Sequence, residues 1–165
     1  MTATVPASPA ISPAQTLFLA QLASTLFMTG LIWFVQIVHY PLFSAVGDAA
    51  FPRYELLHAQ RTGWVVFPPM LLELLTALAA LHPALRLPQI SRGEALASAA
   101  LVLLIWLSTA VLQIPLHNLL GHAPTPDAMH RLVLSNWIRT AAWTAWTARS
   151  ALLLTALAHS LIRPT

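Results

Sequence analysis

The chain of 165 residues contains no cysteine and no lysine. The first absence excludes disulfides, zinc–thiolate sites, iron–sulfur clusters and thiol nucleophiles, and leaves the redox compartment open. The second confines positive charge to eight arginines. Charge of either sign is scarce, at 8% of residues against about 25% in an ordinary soluble domain. Eight arginines and five carboxylates cannot cover a soluble surface of this size. Hydrophobic residues make up 58% of the chain and the mean hydropathy is +0.71. Together these values exclude a soluble enzyme, a nucleic-acid-binding domain and a disordered tail, and they make the bilayer the expected solvent. A pI near 10.7 does not change this, because the net +3 is spread over short loops with no basic run for nucleic acid.

Residues 1–15 are Ala, Ser, Thr and Pro, broken by Pro6, Pro9 and Pro13. Such a segment buries too little apolar area to order itself and reads as a flexible leader. The apolar run after it is too long for a signal-peptide core and has no clear cleavage site. Four stretches are long enough to cross a hydrocarbon core of roughly 30 Å: about residues 16–38, 63–81, 95–116 and 137–158. Pro83, Pro88, Ser91 and Gly93 mark one connection, and Gly121, Pro124 and Pro126 another. The expected fold class is all-α, an integral membrane four-helix bundle over residues 16–165 with both termini on one side. The bacterial inner membrane is its expected location, with a second copy of the chain as a possible partner. Arginine counting does not orient it. Arg86, Arg92 and Arg163 on one face oppose Arg53, Arg61, Arg131 and Arg139 on the other.

A shift of 78 positions superposes His39 on His117, Arg53 on Arg131, Arg61-Thr62 on Arg139-Thr140, and His58 on Asn136. This reads as an internal repeat of two helical hairpins related by a pseudo-twofold axis along the membrane normal. His39 and His117 would then end spans one and three, while His58, Arg61, Asn136 and Arg139 begin spans two and four. All six approach one membrane face. At about 100° per residue, Gln21, Thr25, Thr29, Gln36 and His39 share one side of the first span. Trp106, Thr109, Gln113 and His117 share one side of the third, which Pro115 should kink. Asn136, Arg139, Trp143, Trp146 and Ser150 line up on the fourth. Polar groups inside a membrane face the bundle interior, so a polar pocket near one face is expected.

Several chemistries are open to that pocket. His39, His58 and His117 could surround one transition metal ion. His39 and His117 could instead be axial ligands of a haem, with Arg61 and Arg139 on its propionates. The arginines could equally hold a substrate carboxylate, phenolate or phosphate. Trp64, Trp106, Trp143 and Trp146 could wall a planar aromatic or quinone-like molecule. Against these stand plain alternatives: interfacial anchoring for the histidines, packing for the tryptophans and snorkelling for the arginines. No H-E-x-x-H motif is present, and no Glu-x-x-His pair or other local ligand motif is expected to mark the site. Glu73 and Arg149 fall mid-span at similar depth, and are expected to pair or to share one polar network. Pro68-Pro69 should break or kink span two.

The stretch Gln113-Ile-Pro-Leu-His117-Asn-Leu-Leu, followed by Asn136-Trp-Ile-Arg139-Thr, resembles small four-span bacterial membrane proteins of unknown function and, more distantly, the anthrone oxygenase-like family. Members of that family tend to end an apolar third helix in a Pro-Leu-Asn type motif and to carry Trp, Asn and Arg on the fourth. Here His117 stands where Asn would be expected. The resemblance implies oxygenation of an electron-rich phenolic or anthrone-like substrate, with Asn136 and Arg139 as the matching polar positions. The resulting expectation is a membrane oxidoreductase acting on a lipophilic aromatic molecule. Arg61, Arg139, Asn136, Gln113 and Trp143 would bind the substrate, and His39 or His117 would move a proton, with a metal optional. A haem or metal-binding electron carrier, a small permease and a structural subunit are the rival expectations.

Overall fold

The computed structural model describes residues 11–162, with side chains described as far as Thr155. Residues 1–10 of the expected leader and Arg163 lie outside the described residues. The end of that leader, from Pro13, is already helical. Ser12 accepts from the Gln15 backbone N–H, Gln15 reaches back to the Ser12 N–H, and Pro13 occupies the first helical turn. This reciprocal cap satisfies donors that a helix start otherwise leaves unpaired. Helix α1 therefore runs Pro13–Phe34 and continues through a π-turn, Val35–His39, and a 3₁₀ turn, Pro41–Ala45. Helix α2 is Phe51–Ala79, α3 is Arg92–Ser108, and a second π-turn, Thr109–Gln113, joins α3 to α4, Ile114–His122. The last helix, α5, is Pro126–Ile162.

Two helices begin earlier than hydropathy suggests. Helix α2 starts at Phe51 and not near residue 63, and α5 starts at Pro126 and not near 137. Pro52 and Pro126 sit in first turns, where the missing N–H has no helical partner to lose. The polar opening turn of α2 is thus helix, which places Glu55 and His58 on one rod. Ser91 caps α3 with Glu94 in the same reciprocal manner as Ser12. Replacing Ser91 with Ala is expected to cost about 1 kcal/mol, read as a lower midpoint of thermal unfolding in detergent.

The rods close into a ring: α1 packs on α2 and α5, and the α3–α4 rod packs on the same two helices from the other side. Three helical stretches, Pro13–Ala45, Phe51–Ala79 and Arg92–His122, are long and apolar enough to cross a membrane. The fourth expected span is not among them, because α5 carries Arg131, Arg139 and Arg149 among its threonines. Its polar groups are turned inward, with Asn136, Arg139, Thr140 and Ser150 all buried. The interior also takes Gln36, Glu55, Glu73 and Gln113, while Leu26, Phe27, Phe34, Phe67 and Leu107 are each more than half exposed on the outside.

The kink expected at Pro115 takes the form of a π-turn one residue upstream. Proline removes the donor for the carbonyl four residues back, here Val111, and the turn containing it widens. Pro41 and Ile37 repeat the arrangement after α1. Each π-turn carries a buried glutamine, Gln36 and Gln113. Thr109 lies 74 positions after Val35, and Pro115 lies 74 after Pro41, so these backbone features recur at 74 and not at 78. Pro68-Pro69, by contrast, leaves α2 continuous and only deprives the Trp64 and Val65 carbonyls of helical donors.

Candidate functional site

The α1 π-turn, the first turns of α2, and α4 bring three imidazoles, a carboxylate and a phenol together. Nε2 of His39 lies 2.9 Å from Nδ1 of His58, which also meets Thr62 Oγ1 at 3.1 Å. His117 is held on both sides, by Glu55 Oε1 at 2.5 Å from Nδ1 and by the Tyr40 hydroxyl at 2.9 Å from Nε2. Donor and acceptor roles can be assigned along this chain. Arg139 Nη2 donates to the Tyr40 oxygen at 3.3 Å, so Tyr40 donates its own proton to His117 Nε2, and His117 donates Nδ1–H to Glu55. Arg139 also donates to Asn136 Oδ1 from Nε at 3.0 Å and from Nη2 at 2.5 Å. Asn136 donates to Gln36 Oε1 at 2.8 Å, and Gln36 donates to the Val133 carbonyl at 3.1 Å. A carboxylate and a guanidinium therefore stand at separate points of one network, opposite in sign. Phe43, fully buried, packs edge-on against His39, His58 and His117 and fixes their spacing.

Two open spaces border this cluster. Between α2 and the α3–α4 rod lies a cleft of about 410 Å³. Val66, Phe67, Met70, Trp106 and Ile114 make its apolar wall, and His58 and His117 its polar end. The indole N–H of Trp106, a residue of this wall, is buried and has no hydrogen-bond partner among the described residues. On the loop side a second recess of about 280 Å³ is lined by Tyr40, Asp48 and His130 among others. Tyr40 thus separates the recess from His117.

The structure joins His39, His58, His117, Asn136 and Arg139, as their common face suggested. Arg61 stands apart: it is exposed beside a shallow hollow with His39 and His58, and does not match Arg139. Arg139 is committed to Asn136 and Tyr40, whereas the side chain of Arg61 lines the hollow and bonds no protein group among the described residues. Trp143 is a core residue with no exposure, its N–H shared between the two Glu73 oxygens at 3.0 and 3.2 Å. Gln113 touches the cleft, but its amide is engaged by Ser108 and Ser135.

The expected Glu73–Arg149 pair does not form. Arg149 contacts Ser98 and lies 3.7 Å from Glu94 on α3. Six residues separate Trp143 from Arg149, which turns the two side chains about 240° apart around α5 and aims them at different neighbours. A haem between His39 and His117 does not fit either. The rings of His39 and His58 are 4.7 Å apart and those of His58 and His117 are 5.2 Å apart, leaving no slot for a porphyrin plane.

Two members of the site escape the sequence reading, Tyr40 and Glu55, and the expectation of no Glu-x-x-His pair is wrong. A local signal for the acid exists. Glu55-Leu-Leu-His58 is a Glu-x-x-His pair, an i,i+3 spacing that places both side chains on one helix face. The offset of 78 hides it, because Glu55 then aligns with Val133. No protein-family model, curated protein or solved structure matches the chain.

Proposed function

We propose that this chain is a membrane-embedded oxidoreductase of oxygenase type that admits a lipophilic aromatic substrate to the cleft between α2 and the α3–α4 rod. The membrane setting is supported by the inverted distribution of side chains, apolar outward and polar inward, on a ring with three apolar rods of spanning length. The bacterial inner membrane suits such a chain.

The observation that carries the functional reading is the cleft. It is apolar along its length, is walled in part by Trp106, whose N–H is unpaired among the described residues, and ends on imidazoles. A flat phenolic or anthrone-like molecule satisfies each feature. Its ring lies against Phe67 and Trp106, its oxygen accepts from the Trp106 N–H, and its weakly acidic proton faces His58. Nδ1 of His58 is engaged by His39 and Thr62, whereas its Nε2 makes no hydrogen bond among the described residues. His58 is therefore the general base, in place of His39 or His117. Proton loss leaves an electron-rich carbanion that dioxygen oxidises. For a methylene carbon, C–H₂ and O₂ become C=O and water, with one oxygen atom on carbon and the other leaving with the two hydrogens. Dioxygen is then the only oxidant required. Arg139 holds Tyr40 in position, and Tyr40 and Glu55 hold His117.

An oxygen electrode tests this with detergent-purified protein and anthrone, 1-naphthol or an alkyl quinol. Uptake above the uncatalysed rate, at one O₂ per anthrone, is expected. Trp106→Phe removes one hydrogen bond to the bound oxygen and should raise KM roughly 2- to 10-fold with little change in kcat. Folded protein that consumes no oxygen above background with all three compounds would refute the reading.

A further inference from the structure

The geometry points to a site for one divalent first-row transition metal ion, held by Glu55, His58 and His117. One ligand atom from each of these residues lies within 4.8 Å of the others. They come from two rods only, Glu55 and His58 from α2 and His117 from α4, so the set is carried on rigid backbone.

Three features distinguish this cluster from an ordinary buried hydrogen-bond group. First, Glu55 is 1% exposed and its Oε2 has no partner among the described residues, an oxygen that burial makes costly to leave bare. Its other oxygen, Oε1, meets His117 Nδ1 at 2.5 Å, and no arginine among the described residues bonds either oxygen. A cation bound there would satisfy both oxygens. Second, His58 keeps one ring nitrogen without a hydrogen bond while its other nitrogen is fixed by His39 and Thr62. That is the usual state of a metal-binding imidazole, whose far nitrogen is oriented by an outer partner. Third, His117 has such a partner in Tyr40: with the ion on Nδ1 the ring proton moves to Nε2 and is accepted by the Tyr40 oxygen, which Arg139 also holds. Both imidazoles thus come with their outer supports already built.

The donor set selects the ion. Two imidazoles and one carboxylate suit Zn²⁺ or Fe²⁺, whereas Mg²⁺ and Ca²⁺ prefer oxygen throughout. His39, expected above as a ligand, serves in the outer position behind His58, and Glu55 takes its place. With the ion bound, His58 is a ligand and no longer a base, so metal-loaded and metal-free protein should differ in oxygen uptake. The site itself does not rest on the oxygenase reading. Metal binding is read from the ion's spectrum and substrate oxidation from oxygen consumption, and either can fail alone.

The test uses the full chain, purified in detergent, stripped with a chelator and titrated with Co²⁺, then with Zn²⁺ as competitor. One Co²⁺ per chain is expected, with ligand-field absorption bands. Glu55→Gln and His58→Ala should each weaken binding at least about tenfold, whereas His82→Ala and His122→Ala, at exposed positions, should not. Should a site variant fail to fold, X-ray absorption of the zinc-loaded wild type decides the matter, because two imidazoles and a carboxylate oxygen are expected as ligands. Failure of the folded wild type to bind stoichiometrically, uptake lost only with His82 or His122, or a zinc spectrum without two imidazoles would each overturn the site.

Discussion

His58→Ala is expected to slow oxygen uptake by about 10²- to 10⁴-fold, the range lost when a positioned general base is removed. The effect should fall on kcat and leave KM nearly unchanged, because in the proposed complex the contact area would come from Val66, Phe67, Met70 and Trp106 and the hydrogen bond from the Trp106 N–H. His39 provides the control. It meets the network through His58 Nδ1, where Thr62 also bonds, so His39→Phe leaves one orienting contact in place. A loss of about tenfold or less is expected there, the size of an outer-partner effect. Equal losses for both variants would mean that the two imidazoles act as a unit. A larger loss for His39 would transfer the base to it and reassign the substrate to the shallower hollow beside Arg61.

Periodicity and composition made the helical class and the inward-facing polar stripes legible, because apolar residues fill most positions of the helices and the few polar ones stand out. Gln36, Gln113, Asn136 and Arg139 stood out against Leu and Ala for that reason, and all four are buried. What the sequence could not show is which polar group meets which. Asn136 and Arg139, three residues apart on one helix, consume each other's capacity, so a residue read as a substrate clamp became a positioning group. The π-turns shift register by one residue just where His39 and Gln113 sit, and a constant 100° wheel does not carry across such a turn. Helix starts were misplaced because Arg53, Glu55 and Arg61 lower local hydropathy while the chain there is already helical. That polar turn contains the acid of the site.

Asn136→Leu is expected to destabilise the protein by about 2–4 kcal/mol, the scale for stripping a buried charged group of its main partner. Asn136 has no exposure, and its Oδ1 accepts from both Nε and Nη2 of Arg139 at 3.0 and 2.5 Å. The remaining contacts of that guanidinium, to Tyr40 at 3.3 Å and Thr109 at 3.4 Å, are longer and neutral. Leucine fills similar volume, so the loss would be electrostatic and not a cavity. Asn136→Asp keeps the acceptor but removes the donor to Gln36, and a smaller loss of about 1 kcal/mol follows. The double variant Asn136→Leu with Arg139→Met separates partner from charge. If the cost lies in the stranded guanidinium, removing it should recover most of the stability, since a buried polar group can be exchanged for apolar side chains at little cost. Thermal unfolding of wild type, Asn136→Leu, Arg139→Met and the double variant in one detergent reads the cycle. Recovery of stability without recovery of oxygen uptake would mean that Arg139 is kept in an apolar interior to orient Tyr40 and, through it, His117.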